Sequence, residues 1–350
     1  MNNGKISIRN VKLKDIALKT GFTINTVSRA LNDKNDISEA TKRVINQAAD
    51  EMGYIRDSIA SYMRTGTTKT LAVILGDISN LHFSIWIKEI ESCALRFQYS
   101  TFVLNTDENP ESEKRAILTA LSKKVDGILI CPQQENPDNI RYLKESGVPF
   151  VSIGRRFPQE ACSYCIINDE KGGYLAARHL LTMGHRSVLM INASPFISSA
   201  YERGAGYRRA LDSCGLAYDR RLELHIGAAG QGECAQKLRK AIKEGPFFSA
   251  IFAFSDYIAF QAIYALNEMG RSVPRDISIV GFDNIQAHAL MSAPLDTITH
   301  VNETVPYRAV EILMDMIENK DVDNYRTSVI DVRLKKRGSV LPFKSAVDHK

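Results

Sequence analysis

No apolar run in this 350-residue chain approaches the roughly 18–20 residues that a membrane span requires. The opening stretch MNNGKISIRN lacks the apolar h-region of a secretory signal, so the chain is expected to work in the cytoplasm. Cysteine is sparse. Cys93, Cys131, Cys162, Cys165, Cys214 and Cys234 are scattered over the chain, which does not suggest a disulfide framework. Cys162-Ser-Tyr-Cys165 is a lone CxxC, with no second pair and no nearby histidine pair to complete a zinc site. A strand-like run, Cys165-Ile166-Ile167, follows it where a thioredoxin-type pair needs a helix. There is no Walker A loop, no G-x-S-x-G elbow and no G-x-G-x-x-G after a strand; Gly227-Ala-Ala-Gly230-Gln-Gly232 has the wrong spacing. These absences argue against an enzyme, and no metal or cofactor is expected.

The charge is more informative. The chain carries a net charge of +5. Residues 1–70 hold 12 Lys/Arg against 7 Asp/Glu, and the remainder is balanced at 33 of each. All of the excess therefore lies in the first fifth of the chain, as in a polyanion reader joined to a neutral module. An ordinary basic terminus is the plainer alternative.

Residues 13–56 read as a compact helical unit. A helix is expected over 13–20, with Ile16 and Ala17 apolar and Asp15 in the first turn, where the helix dipole favours an anion. Gly21 breaks it. Thr23 can cap the next helix, over 24–31, whose Val27, Ala30 and Leu31 share a face. Ser38 caps a third helix, which Gly53 ends. Two short helices about a glycine turn, with a supporting third, make a helix-turn-helix pattern. Residues 57–66 form a short helix-compatible linker, too short to be stable alone in water.

From residue 70 the pattern alternates between apolar strands and amphipathic helices. Strands are expected at 70–75, 100–105, 127–131, 150–153, 187–191, 250–254 and 277–282, and helices at 84–97, 111–123, 140–146, 172–183, 201–214, 232–244 and 257–269. Short, continuous apolar strands imply parallel sheets covered on both faces. The elements are too many for one compact sheet, so two lobes dividing near Asn168 are expected, with a ligand cleft between them at the carboxyl ends of the strands.

The segment from Leu13 to Asn32, Leu-Lys-Asp-Ile-Ala-Leu-Lys-Thr-Gly-Phe-Thr-Ile-Asn-Thr-Val-Ser-Arg-Ala-Leu-Asn, closely resembles the headpiece of the LacI/GalR family of bacterial transcription regulators. Further matches are Asp77-Ile-Ser-Asn80, Val125-Asp-Gly-Ile128, Gly184-His185, Glu202-Arg203, Gly206-Tyr207, Val273-Pro274, Ile277-Ser-Ile-Val-Gly-Phe-Asp283 and Arg337-Gly-Ser339. Together they run from about residue 11 to 340. The resemblance implies a two-lobed α/β core like that of periplasmic binding proteins, with parallel sheets and helices on both faces, behind an all-α helix-turn-helix headpiece. The expected domains are a headpiece at 11–56, a hinge helix at 57–66 and an effector-binding and dimerisation core at 70–340. Within the core, a first lobe spans about 70–168 plus 297–325, and a second about 169–296 plus 327–340.

By the same resemblance, Ile24, Asn25 and Arg29 carry operator choice. Arg29 suits guanine, Asn25 suits adenine, and Ile24 offers apolar contact to a thymine methyl. Thr26, Ser28, Asn32 and Tyr54 match positions that touch phosphate or support the fold, and Thr23 belongs to the same DNA-facing turn. Lys12 stands where the family often has a threonine cap; it loses that cap but can meet a phosphate. Residues 57–64 resemble a hinge that orders on DNA, with Met63 and Ala60 as its minor-groove wedge. Asp57 and Arg56 depart there from a frequent Asn and Pro. Such a wedge requires a homodimer and a near-palindromic duplex operator. Leu341–Lys350 has no leucine heptads, so no tetramerisation tail is expected.

For the effector, Arg203 and Asp283 match positions that hold a ligand, usually by hydrogen bonds to sugar hydroxyls. His82 and Phe83 in the loop after the first strand, Arg155 after the fourth, Asn168 at the lobe crossing and Ser255 complete the expected set. Phe83 can stack on a sugar face, and the charge of Arg155 favours an acidic or phosphorylated sugar. Asp256 is expected to cap the following helix, and Trp86 to serve the core or the dimer contact rather than the ligand. The expected function is an operator-binding repressor, associated with the nucleoid and controlled by a small effector, most often a carbohydrate; release from DNA is the commoner family response. Two alternatives remain. One is a global catabolite regulator with a phosphocarrier protein as corepressor, weakened because Ala293 stands where such members have arginine. The other is a sugar-binding protein without DNA function.

Overall fold

The computed structural model describes residues 11–54, 66–227, 232–287 and 294–343. The chain divides into two compact units, Met1–Thr68 and Lys69–Lys350.

In the first unit, α1 (Leu13–Thr20), α2 (Ile24–Leu31) and α3 (Glu39–Met52) enclose a small core of Ile16, Val27, Ala30, Leu31, Ile45 and Ala49. The turn between α1 and α2 is made by Gly21 at φ +75, a left-handed conformation that glycine accepts without a Cβ penalty. Thr23 caps α2 by accepting the Thr26 N–H at 3.1 Å, and Ser38 caps α3 by accepting that of Thr41 at 3.2 Å. Lys12, which cannot accept such a bond, is compensated from the other end: the Asp15 carboxylate accepts the Lys12 N–H at 2.8 Å. Lys19 ties α1 to α3 through Glu51 at 2.6 Å.

The second unit contains, among the described residues, two six-stranded sheets. The first sheet uses β1 (Thr70–Leu75), β2 (Ser100–Asn105), β3 (Gly127–Ile130), β4 (Phe150–Ile153), β5 (Tyr164–Ile167) and β11 (Thr327–Ile330), in the order β11-β5-β4-β3-β1-β2. The second uses β6 (Val188–Ala193), β7 (Glu223–Ile226), β8 (Ala250–Ala253), β9 (Ser278–Phe282), β10 (Asp296–His300) and β12 (Val332–Lys335), in the order β12-β10-β9-β8-β6-β7. All pairings are parallel except β10 with β12. Strand order reverses at β1 in one lobe and at β6 in the other, which opens a crevice beyond the carboxyl ends of both sheets. The helices are α4 (Leu81–Arg96), α5 (Pro110–Ser122), α6 (Asp138–Ser146), α7 (Asp169–Thr182), α8 (Ser198–Ser213), α9 (Glu233–Glu244), α10 (Asp256–Glu268) and α11 (Val305–Asn319).

The chain crosses between lobes after β5, after β10 and between β11 and β12. This shifts the expected lobe boundaries by one strand in each direction. Residues 296–300 pair with β9 in the second sheet rather than joining the first lobe, and residues 327–330 pair with β5 in the first. The segment 330–332 is a strand-to-strand crossing with almost no loop, so composition gives no sign of a boundary there.

Helices α7 and α8 pack backbone to backbone. A Cβ at Gly173 would stand 2.2 Å from the Arg203 carbonyl oxygen, and one at Gly206 would stand 2.1 Å from that of Glu170. Both obstacles are main chain and cannot swing away. Gly206→Val is therefore expected to lower the thermal midpoint by several degrees, since overpacking of this kind costs about 1–3 kcal/mol or more. An unchanged midpoint in thermal denaturation would mean that the two helices separate freely.

Candidate functional sites: a helix-turn-helix surface and an interlobe cleft

On the first unit, the N-terminal turn of α2 faces solvent. Ile24 is 53% exposed, and Asn25 is exposed beside it. Arg29 is one helical turn on from Asn25, so the three lie along one exposed edge. Thr26 is half-buried and shares a hydroxyl contact with Thr23 at 2.9 Å. Ser28 is half-buried, its carbonyl accepting from the Asn32 amide at the end of α2, and Tyr54 packs on the headpiece core. Lys12 is exposed at the start of α1. Arg29 departs from expectation in one respect. Its guanidinium is held by Asp36 in the α2–α3 loop, Nε at 2.9 Å and Nη2 at 2.6 Å from Oδ2. The same pair holds the Asp36 carboxyl below its usual range, chiefly through the hydrogen bond from Arg29. To reach a base edge, Arg29 exchanges one acceptor for another. Ala60 and Met63, with the rest of the expected hinge up to Thr65, lie outside the described residues.

In the second unit, the crevice holds a cleft of about 470 Å³. Its second-lobe wall is built around Arg203 on α8. Nε of Arg203 donates to Asp169 at 2.7 Å, and Nη2 lies 3.5 Å from Asp283. The guanidinium also stacks 3.6 Å from the Phe282 ring centre and 4.4 Å from that of Phe254. The close approach at Gly173 fixes the Arg203 backbone against α7, and Asp169 opens that helix, which explains why these two side chains meet. Burial pushes the Asp169 carboxyl up, to about 7, against the lowering pull of Arg203. Asp283 directly follows β9, at φ +95, and is itself followed by Asn284 at φ +56. Two successive non-glycine residues in left-handed conformations are costly and mark a site where placement matters.

The first-lobe wall carries a second arginine–carboxylate pair. Arg155, after β4, donates to Glu108 through both ends of its guanidinium, at 2.6 and 2.9 Å, and to the Pro132 carbonyl at 3.3 Å. The expectation that Arg155 brings a positive charge to the ligand is thereby corrected: its charge is already matched. His82 and Phe83 belong to the first turn of α4 rather than to a loop, because Asn80 caps the helix by accepting the His82 N–H at 3.1 Å. The His82 ring lies 3.8 Å from Asp283 across the cleft, and burial holds its imidazole below the ordinary value despite that carboxylate. Trp86 packs against the first-lobe core, as expected, and it also lines the cleft. Its indole lies over Gly154, where a Cβ would meet the ring at 2.4 Å, and packs 4.5 Å from His82. Phe83, also in the lining of the cleft though 6% exposed, meets it edge-on with ring centres 5.9 Å apart.

Asn168 is absent from the lining of the cleft. Its side chain caps α7 by accepting the Lys171 N–H at 3.0 Å. Ser255 lines the cleft and also caps α10 through the Ile258 N–H at 3.2 Å, the part expected of Asp256. Asp256 is instead buried behind the wall, accepting from the Thr297 hydroxyl at 2.6 Å and the Ile285 N–H at 2.9 Å; burial pushes its carboxyl up to about 8. The carboxylates lining the cleft are Asp77, Glu89, Asp107, Glu108 and Asp283. Among the described residues they face two arginines, Arg155 and Arg203, and no lysine. Buried polar groups with an aromatic plane alongside suit a ligand rich in hydroxyls.

Residues 12–57 match the model of bacterial regulatory proteins of the lacI family, and residues 68–338 match that of periplasmic binding proteins and the sugar-binding domain of the LacI family. The HTH-type transcriptional repressor PurR of Aliivibrio fischeri is 30% identical over 315 residues, covering 88% of this chain and 92% of that one. The structure of the lac repressor dimer bound to operator and the anti-inducer ONPF superposes with a TM-score of 0.81 at 23% identity, covering 95% of this chain and 100% of the other. A LacI family transcriptional regulator from Enterococcus faecium with bound ribose gives a TM-score of 0.69 at 27% identity, over 79% of this chain and 100% of the other.

Proposed function

From the premise that this chain belongs to the LacI family of bacterial regulatory proteins, we propose that it is a dimeric, operator-binding transcriptional repressor whose affinity for DNA is set by a carbohydrate or related effector. The observation that carries this reading is the presence, on one chain, of an exposed recognition helix and an interlobe cleft walled by Arg203 and Asp283. It is a regulator and not an enzyme, and it acts in the cytoplasm at the nucleoid. The domains follow the same reading: a DNA-binding headpiece at 11–56, a hinge at 57–66, and a core that binds effector and a second copy. A two-fold protein reads a near-palindromic site. Effector binding shifts the balance between two arrangements of the core. A coupling of about 1–3 kcal/mol changes operator affinity roughly 5–150-fold.

Within the headpiece, Ile24, Asn25 and Arg29 read bases, while Lys12, Thr23, Thr26, Ser28, Asn32 and Tyr54 fix register. Arg29→Ala is expected to relax choice at one base pair, a loss of about 1–3 kcal/mol of discrimination. Lys12→Ala is expected to weaken binding evenly across sequences and to reduce the salt slope by about one. Competition binding on single-base operator variants at two salt concentrations separates the two, and a reversed pattern would reject the assignment. The function itself is tested by selecting duplexes from a random library with the full-length protein. A recovered near-palindrome supports the dimeric reader; no enrichment, with or without a pool of sugars, counts against it.

A further inference from the structure

The two walls of the cleft treat their arginines differently. On the second-lobe wall, Arg203 shares Asp169 and reaches Asp283 only at 3.5 Å, which leaves room for a ligand to join the network. On the first-lobe wall, Arg155 is closed off. Nη1 and Nη2 each donate to a different oxygen of Glu108, at 2.6 and 2.9 Å, and Nη1 also serves the Pro132 carbonyl. Glu108 is itself held by the backbone. Asp107 and Glu108 lie at φ +52 and +54, and the Glu108 N–H donates to the Gly76 carbonyl at 3.2 Å. The Glu108 carboxylate rests directly on Gly76, where a Cβ would stand 2.2 Å from Oε1. Three separate features therefore place one carboxylate on one guanidinium: two left-handed residues, a glycine cleared for it and a two-point ion pair. An arginine is the side chain best fitted to bind a phosphate or carboxylate, and at Arg155 that capacity is cancelled inside a cleft whose other lining residues include the carboxylates Asp77, Glu89, Asp107 and Asp283.

We propose that Glu108 is a specificity-determining residue, which occupies Arg155 and so restricts the cleft to uncharged polyhydroxylated effectors, excluding sugar phosphates and sugar acids. The inference rests on the reading of this cleft as the effector site, and it names the effector's charge class. An anion entering the wild-type cleft has to displace Glu108 from Arg155, or approach Arg203 against Asp169 and Asp283, which already face that guanidinium at 2.7 and 3.5 Å; either is unfavourable in a poorly solvated site.

The test uses inorganic phosphate as the probe and the full chain, by isothermal titration calorimetry. Any phosphate bound by the basic headpiece is common to all variants, so differences between variants report the cleft. Glu108→Gln removes the charge and keeps the shape; Glu108→Ala clears the guanidinium altogether. The expected result is phosphate binding roughly tenfold or more tighter than wild type in at least one of these variants, the gain of a charge-assisted contact. Adding Arg155→Met to that variant is expected to remove the gain, while Arg155→Met alone leaves wild-type phosphate binding unchanged. Two results would overturn the proposal. One is a loss of phosphate binding on Arg155→Met alone, which would mean that the arginine is already open to anions. The other is the absence of any gain in both Glu108 variants, each shown to be folded by circular dichroism. Failure of the operator selection would instead reject the regulatory reading and leave the phosphate contrast intact.

Discussion

Replacing Arg203 with methionine is expected to abolish the response to effector and to destabilise the core. Arg203 is 5% exposed, and its guanidinium holds together the second-lobe wall: Asp169 at 2.7 Å, Asp283 at 3.5 Å, the Phe254 carbonyl and the Phe282 ring. Methionine retains much of the apolar stem but leaves two buried carboxylates without a cation. Breaking a buried pair from one side costs about 3–5 kcal/mol. Part of that cost is relieved when Asp169 takes up a proton, because burial already pushes its carboxyl up to about 7 and the cation opposing that rise is gone. The sign is therefore definite: the penalty of Arg203→Met is larger at pH 8 than at pH 5. Adding Asp169→Asn is expected to restore much of the stability without restoring the effector response. Thermal denaturation across this pH range, with effector-dependent operator binding, checks both halves. A variant that still responds to effector would place the recognition site elsewhere.

The second large effect is expected at Asp296, outside the cleft. Its carboxylate accepts backbone N–H groups of Arg337, Gly338 and Ser339 at 2.6, 2.6 and 3.2 Å, and lies 2.9 Å from His179 on α7. It thus pins the segment after β12 to the start of β10 and to α7. Burial alone raises such a carboxyl; the bonds from His179 and the three amides outweigh it and hold Asp296 below its usual value. Asp296→Ala orphans all four donors at a site 2% exposed, and a loss of about 3–5 kcal/mol follows from several unsatisfied buried groups. Because the folded carboxyl titrates below the unfolded one, its contribution is complete above the unfolded pKa of about 4 and is lost as pH falls through the folded value. Wild type and variant should therefore converge on acidification and stay apart from pH 5 upward. Parallel stability curves down to the lowest pH would show that Asp296 is not the titrating anchor.

The alternation of apolar strands and amphipathic helices made the two-lobed architecture legible, and Gly21, Thr23 and Ser38 marked the headpiece turns through local chemistry alone. What the sequence concealed has identifiable causes. The edge strand Glu223–Ile226 is short, begins on a charged residue and is half-exposed, so it carries no apolar run. The lobe crossing between Ile330 and Val332 has the single residue Asp331 between its strands and so no loop to announce it. Asn168 and His82 were legible as residues near the cleft but not in their orientation. Asn80 and Asn168 start their helices three residues earlier than the apolar periodicity suggests, because a cap acts before the first buried position. Glu108 had no local signal: its partner lies 47 residues away, and left-handed backbone at a glutamate is invisible in composition. Trp86 faces the cleft because Gly154 admits its ring, again a distant pairing. Periodicity reports which face is buried; contacts between segments distant in the chain are set by tertiary packing.

In the proposed mechanism a DNA-reading headpiece is coupled to an effector cleft organised by Arg203. The most direct measurement is the operator affinity of the full chain and of Arg203→Met, by fluorescence anisotropy, with and without those neutral mono- and disaccharides that raise the wild-type thermal midpoint. A change of roughly 5–150-fold in wild-type operator affinity, absent from the variant, is the predicted result. A saccharide that stabilises the wild-type core yet leaves its operator affinity unchanged would mean that cleft and headpiece are not coupled.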